Sequence, residues 1–209
     1  MTISPKLVSF IIAQETGGQA YYEETSEEHF DWPGGASGPT VAGGYDLGYV
    51  KVAECMDDWT GILDPETIHT MVEGIGLTGE AAHRFCMQHR GEVTITWAQA
   101  MTEFTVREVP KWENRVRQAL PNYDNLPSDD CRGVLVSLSY NRGTGGYNSS
   151  LPRYDEMVQI HHAMEHKTFN LIPGYISSMV RLWPNVSGLR QRRILEARLF
   201  AGGLQEATA

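Results

Sequence analysis

Apolar positions recur at helical spacing along most of the chain, and glycine clusters interrupt them. Leu7, Phe10, Ile11 and Ile12 crowd one side of a short amphipathic helix, with Ser4 as its N-cap and Pro5 at its first helical position. Gly17 and Gly18 stop that helix, so Glu15 falls in its last turn. Between Gly34 and Gly48 the chain carries six glycines, and this stretch is not helix. Two short helices follow, over residues 49–58 and 65–73, the second capped by Asp64 with Pro65 at its first position. A further helix is expected over 79–89.

From Thr96 the pattern becomes steadily helical. Thr96 caps Trp97, Ala100, Met101 and Phe104, and a helical pattern continues over 109–120 around Pro110. Pro127-Ser128-Asp129-Asp130 opens a helix bearing Val134, Leu135, Leu138 and Tyr140, which runs into the glycines after Asn141-Arg142. A last helix begins at Ser187 and is expected to stop at Gly202-Gly203.

Glu15 is the first residue with candidate chemistry. The negative end of a helix dipole disfavours an ionised carboxyl, which suits a general acid. Tyr22 and Glu24 follow seven and nine residues later, and Thr40 to Tyr45 read Thr-Val-Ala-Gly-Gly-Tyr. These residues resemble the N-terminal lobe of phage-type lysozymes, family 24 of the glycoside hydrolases. In that family a glutamate ends the first helix, an acidic residue lies nine positions on, and a Thr-aliphatic-Gly-x-Gly-His run forms a small β-hairpin. Asn141-Arg142-Gly143 resembles the family's Asn-x-Gly helix end. Leu189, Arg192, Arg193, Glu196 and Leu199 resemble its closing Gly-Leu-x-x-Arg-Arg-x-x-Glu-x-x-Leu helix. The three matches occur in the family's order and span nearly the whole chain.

The resemblance implies a mainly α-helical (α+β), two-lobed lysozyme-like fold with a small β-hairpin. It would form one domain over 1–209, with an N-terminal lobe of about 1–75 and a helical C-terminal lobe of about 76–209. It also implies hydrolysis of the β-1,4 bond between N-acetylmuramic acid and N-acetylglucosamine in peptidoglycan, with no metal or cofactor. Glu15 would be the general acid, Glu24 would stand where the family has an aspartate, and Thr40 would hold the attacking water. Asn141 would face the substrate, and Arg190, Arg192 or Arg193 would position the acid. Trp32 and Tyr45 are candidates for stacking on sugar rings. The chain departs from the family at Glu24, at Ala42 in place of a glycine, at Tyr45 in place of the histidine, and in a longer segment over 25–39. Glu23, Asp31 and Asp46 are near enough in sequence to replace Glu24, Asp46 most readily because it follows the hairpin directly.

Composition narrows the partners. With 209 residues, 41% of them hydrophobic, the chain is long enough to bury a sizeable core. A formal net charge of −9 opposes general nucleic-acid binding. Glycan strands of peptidoglycan are the expected partner, and a monomer the expected state. Cys55, Cys86 and Cys131 are widely spaced and lack a Cys-x-x-Cys pair, which suits reduced core thiols. The apolar run over 7–13 is broken by Ser9 and is a poor signal peptide, and no stretch is long enough for membrane insertion. The chain is therefore expected to be made in the cytoplasm. It would reach peptidoglycan in the periplasm or cell wall after release by a holin or a secretion apparatus.

One motif points elsewhere. His162-Ala163-Met164-Glu165-His166 fits the His-x-x-Glu-His pattern of certain zinc peptidases, in which two histidines hold the metal and the glutamate is the base. A zinc-dependent cell-wall peptidase through His162 and His166, with Glu196 available as a further ligand, is one alternative. A non-catalytic lysozyme-like binding or structural module is another.

Overall fold

Helices begin where capping side chains put them in the computed structural model, which describes residues 3–25 and 28–206. Ser4 Oγ accepts from Leu7 N (3.3 Å) to start α1, Pro5–Thr16. Asp64 accepts from Glu66 N and Thr67 N to start α4, Pro65–Glu73. Thr96 and Gln99 form a reciprocal capping box at α6, Trp97–Glu103, and Ser128 caps α8, Asp129–Arg142. The other helices are α2 (Gln19–Glu24), α3 (Val52–Trp59), α5 (Gly79–His89), α7 (Val109–Ala119), α9 (Asp155–Glu165), α10 (Ile172–Ser178) and α11 (Ser187–Glu206). A two-stranded antiparallel sheet, β1 (Thr40–Val41) and β2 (Tyr45–Asp46), pairs Thr40 with Asp46 and Val41 with Tyr45. The fold is thus mainly helical with one small hairpin.

The residues divide into two compact units, one of 12–108 and one of 1–11 with 109–209. The boundary expected between about 75 and 76 does not coincide with this division, because Phe85 and Cys86 of α5, and Val93, Ile95 and Ala100 beyond it, contribute to the same core as the hairpin. That core holds Tyr22, Phe30, Val41, Leu47, Cys55, Trp59, Met71, Phe85 and Ile95. Helical chain leaves this unit through a wide turn over Phe104–Glu108, with α-helix on both sides. Pro110 supplies the reason for that turn. It has no N–H to give Val106, and its ring would clash with that carbonyl in an uninterrupted α-helix, which a π-type turn relieves.

In the other unit α8 is buried along nearly its whole length, from Asp130 through Ser139. Gly133 lets the start of α1 approach it, since a Cβ there would lie 2.5 Å from Leu7 Cβ. Contrary to expectation, α11 does not stop at Gly202-Gly203 but continues to Glu206. Gly203 is there for packing, because a Cβ would come within 2.4 Å of Ser128 Oγ and 3.0 Å of Cys131 Sγ. All three cysteines are buried and unpaired. Burial pushes Cys55 and Cys86 up to about 11, which keeps them as inert thiols. Among the described residues no helix is long and apolar enough to cross a membrane.

Candidate active site

Glu15 is the penultimate residue of α1 and is half-buried. Thr16 secures this helix end: its Oγ1 donates to Ile12 O (2.9 Å) and accepts from Gly18 N (3.1 Å). Gly17 and Gly18 then turn the chain at φ 69° and 94°. The next segment forms α2, seated by the buried Tyr22, whose hydroxyl donates to Ile95 O (2.6 Å) and whose ring meets Trp97 edge-on. Glu24 is the last residue of α2 and is exposed, as is Glu23.

Thr40 has carboxylates opposite it on both sides. Asp46 is its register partner in the hairpin, and Asp31 forms an isolated antiparallel bridge with it. Asp31 N donates to Thr40 O (2.9 Å) and Thr40 N to Asp31 O (2.8 Å). Directly opposed residues of antiparallel strands project to the same face, so Asp31, Thr40 and Asp46 form one row. Their electrostatic situations differ. Asp46 Oδ1 accepts from Gly38 N (2.9 Å) and Gly48 N (2.8 Å), which clips the two glycine segments together. Asp31 is exposed, and its backbone carbonyl receives the Cys86 thiol (3.4 Å).

Asp31 and Thr40 line a pocket of about 250 Å³ with His29, Pro33, Val41, Gly43 and Gly44. Thr40 Oγ1 donates to Gly38 O (3.2 Å), which leaves its oxygen lone pairs for a water hydrogen. His29 Nδ1 lies 2.9 Å from Val93 O, and because a carbonyl only accepts, that nitrogen carries the proton. A carboxylate beside an oriented hydroxyl can hold a water and take its proton. This is the part of the site that sequence reasoning left unresolved. The short alternation of half-buried His29, buried Phe30 and exposed Asp31 is the strand signal that carried it. In the segment over 25–39, Ser26 and Glu27 lie outside the described residues.

The two aromatic candidates are differently engaged. Tyr45 is a packing residue, since its hydroxyl donates to the buried Asp58 (2.8 Å) and its ring stands edge-on to the buried Trp59. Its phenol is pushed well above the ordinary tyrosine range by burial and by that carboxylate. Trp32 stacks one face on His83 (4.7 Å between ring centroids) and donates Nε1 to Ser37 O (3.1 Å).

Asn141 and the three arginines belong to the other unit. Asn141 is half-buried in the last turn of α8, ahead of Gly143 at φ 74°. Arg190 is exposed and reaches Pro184 O. Arg192 and Arg193 are buried on α11 around Glu196. Arg192 Nε donates to Glu196 Oε1 (3.2 Å), Arg193 Nη2 donates to the same oxygen (3.0 Å), and Ser137 Oγ does so at 2.6 Å. Burial pushes Glu196 up and Arg193 down to about 10, so Arg193 stays charged at neutral pH. Two cations therefore share one buried anion. Arg193 Nη1 is buried with no hydrogen-bond partner among the described residues.

The His-x-x-Glu-His motif is rearranged in the structure. His166 lies just past the end of α9, and the ligand atoms that come together are those of His161, His162 and Glu165. With Glu165 among the candidate ligands, the motif loses the base that a peptidase needs. No protein-family model matches the chain, and no curated protein matches it.

Proposed function

We propose that the chain is a muramidase with a two-lobed, lysozyme-like fold, cleaving the β-1,4 bond between N-acetylmuramic acid and N-acetylglucosamine. The observation that carries this reading is the layout of 12–108. A helix end bearing Glu15, the buried Tyr22 and a glycine-rich hairpin bearing Thr40 lie in one compact unit, and a carboxylate stands beside Thr40. In the proposed reaction Glu15 protonates the leaving glycosidic oxygen. Asp31 takes a proton from a water that Thr40 orients, and the hydroxide equivalent attacks the anomeric carbon from the opposite face. One water is consumed, and the anomeric configuration inverts.

This assignment moves the second carboxylate from Glu24 to Asp31, because Asp31 shares the pocket with Thr40 whereas Glu24 ends an exposed helix. Asp46 is needed for the hairpin clip.

Mass spectra of muropeptides released from purified peptidoglycan test the reading. Glycan fragments ending in reducing N-acetylmuramic acid are expected, unaffected by chelators, and Glu15→Gln should abolish them without loss of fold. Cleavage of peptide bonds, or full turnover by Glu15→Gln, would overturn it. Binding to peptidoglycan without cleavage would make the chain a lysozyme-like binding module.

A further inference from the structure

The last turn of α9 presents three metal-ligating side chains together. His161, His162 and Glu165 each place one ligand atom within 4.8 Å of the other two. We propose that they form a binding site for a borderline divalent transition metal, of which Zn²⁺ is the probe, on the face of α9 away from its core. This site is independent of the proposed glycan chemistry.

The ligand set supports the metal class. Two imidazoles and one carboxylate suit Zn²⁺ and its neighbours, whereas Mg²⁺ and Ca²⁺ prefer all-oxygen sets. The distances are compatible with closure. An equilateral triangle of 4.8 Å sides has its centre about 2.8 Å from each corner, against about 2.0–2.1 Å for a Zn–N bond, so each donor moves inward by under 1 Å. Side-chain freedom allows that movement, because His162 and Glu165 are 57% and 54% exposed and already stand 3.5 Å apart at Nδ1 and Oε2. The two imidazoles meet edge-on with centroids 6.1 Å apart, so their rings do not block each other.

The backbone under these ligands is held in place. Ile160, Ala163 and Met164 are buried on the opposite side of the helix. Asn122 Nδ2 donates to Met164 O (3.0 Å) and Glu165 O (3.2 Å). Thr168 N donates to Ala163 O (2.9 Å), and Lys167 turns the chain away at φ 56°. The helix end therefore does not have to be ordered when metal binds, and the dipole at a helix C-terminus favours a cation there.

Calorimetric titration of the full, chelator-stripped chain with Zn²⁺ tests the proposal, with Mg²⁺ as control. One Zn²⁺ per chain is expected. His161→Ala, His162→Ala and Glu165→Gln should each weaken it at least tenfold, since even outer partners of a metal site are worth about 10–100-fold. His166→Ala should leave affinity within twofold. His162, Glu165 and His166 are exposed and His161 is half-buried, and unchanged far-ultraviolet circular dichroism would exclude unfolding. Wild-type binding no tighter than that of the His161→Ala/His162→Ala chain would overturn the site. So would a loss on His166→Ala equal to that on His162→Ala, which would restore the linear motif.

Discussion

Asp46 separates a structural from a catalytic carboxylate, and its contacts set the size of the effect. Its Oδ1 accepts two backbone N–H groups, Gly38 at 2.9 Å and Gly48 at 2.8 Å. The segments it joins are close enough that a Cβ on Gly38 would lie 2.2 Å from Gly48 N. Hydrogen bonds to a charged group are worth about 1.5–3 kcal/mol each, but at this half-buried site water replaces part of what is lost. Asp46→Ala should then cost about 2–4 kcal/mol, and Asp46→Asn, which keeps an acceptor oxygen and loses the charge, about 1–2 kcal/mol. For a chain of this length each kcal/mol shifts Tm by about 2–4 °C, giving drops of roughly 4–16 °C and 2–8 °C. Thermal melts at pH 7, paired with glycan cleavage well below the lower Tm, would measure both effects. An Asp46→Ala melt within 1 °C of wild type would refute the clip. An Asp46→Asn protein that is stable but inactive would make this carboxylate a reactant.

Asp31→Asn should lower glycan cleavage by about 10²–10⁴-fold, the range for a positioned general base, while Glu24→Gln changes it only a few-fold. The reverse order would return the role to Glu24, and NMR of the first-formed anomer should show the α product of inversion, a β product sinking the mechanism. Ala42 sits at φ 53°, where a non-glycine residue costs about 1–2 kcal/mol, so Ala42→Gly should raise stability by about 0.5–1 kcal/mol net of glycine's entropy. A lower Tm for Ala42→Gly would mean that the turn is not strained. Burial acts to raise Asp130, but hydrogen bonds from Lys6 and Ser4 and the Lys6 charge outweigh it and hold this carboxyl below its ordinary range. Its stabilisation is therefore present above about pH 4 and is lost as pH falls further, so the Tm gap between wild type and Asp130→Asn should narrow from pH 6 to pH 3. A constant gap would show that the charge contributes nothing.

Local chemistry made most helix starts legible. Asp64, Thr96 and Ser128 each supply their own cap from within three residues, and α4 and α5 run as the periodicity predicts. Glycine was legible only where it acts locally. Gly17 ends α1 through its own backbone angle, whereas Gly203 is required by Ser128 and Cys131, distant in sequence, and so reads falsely as a stop. The carboxylate beside Thr40, proposed above as the base, was obscured for the same reason. Asp31 meets Thr40 through a bridge spanning Gly34 and Gly35, both at positive φ, and spacing from Glu15 along the chain says nothing about that pairing. The anchoring of Tyr45 is not legible from the hairpin, because Asp58 and Trp59, which hold it, lie on a different element.

The discontinuity of the unit formed by 1–11 and 109–209 bears on how the chain is made. Ser4, Lys6 and Leu7 find their places only against Asp130 and Gly133, more than a hundred residues later. At translation rates of about 5–20 residues per second, the 124 residues separating Lys6 from Asp130 correspond to roughly 6–25 s of synthesis. Residues 12–108 are complete and contiguous before then. During that interval Leu7, Val8 and Ile11, all buried in the finished fold, lack the helix α8 that covers the start of α1. That apolar strip is covered only once α8 has been made.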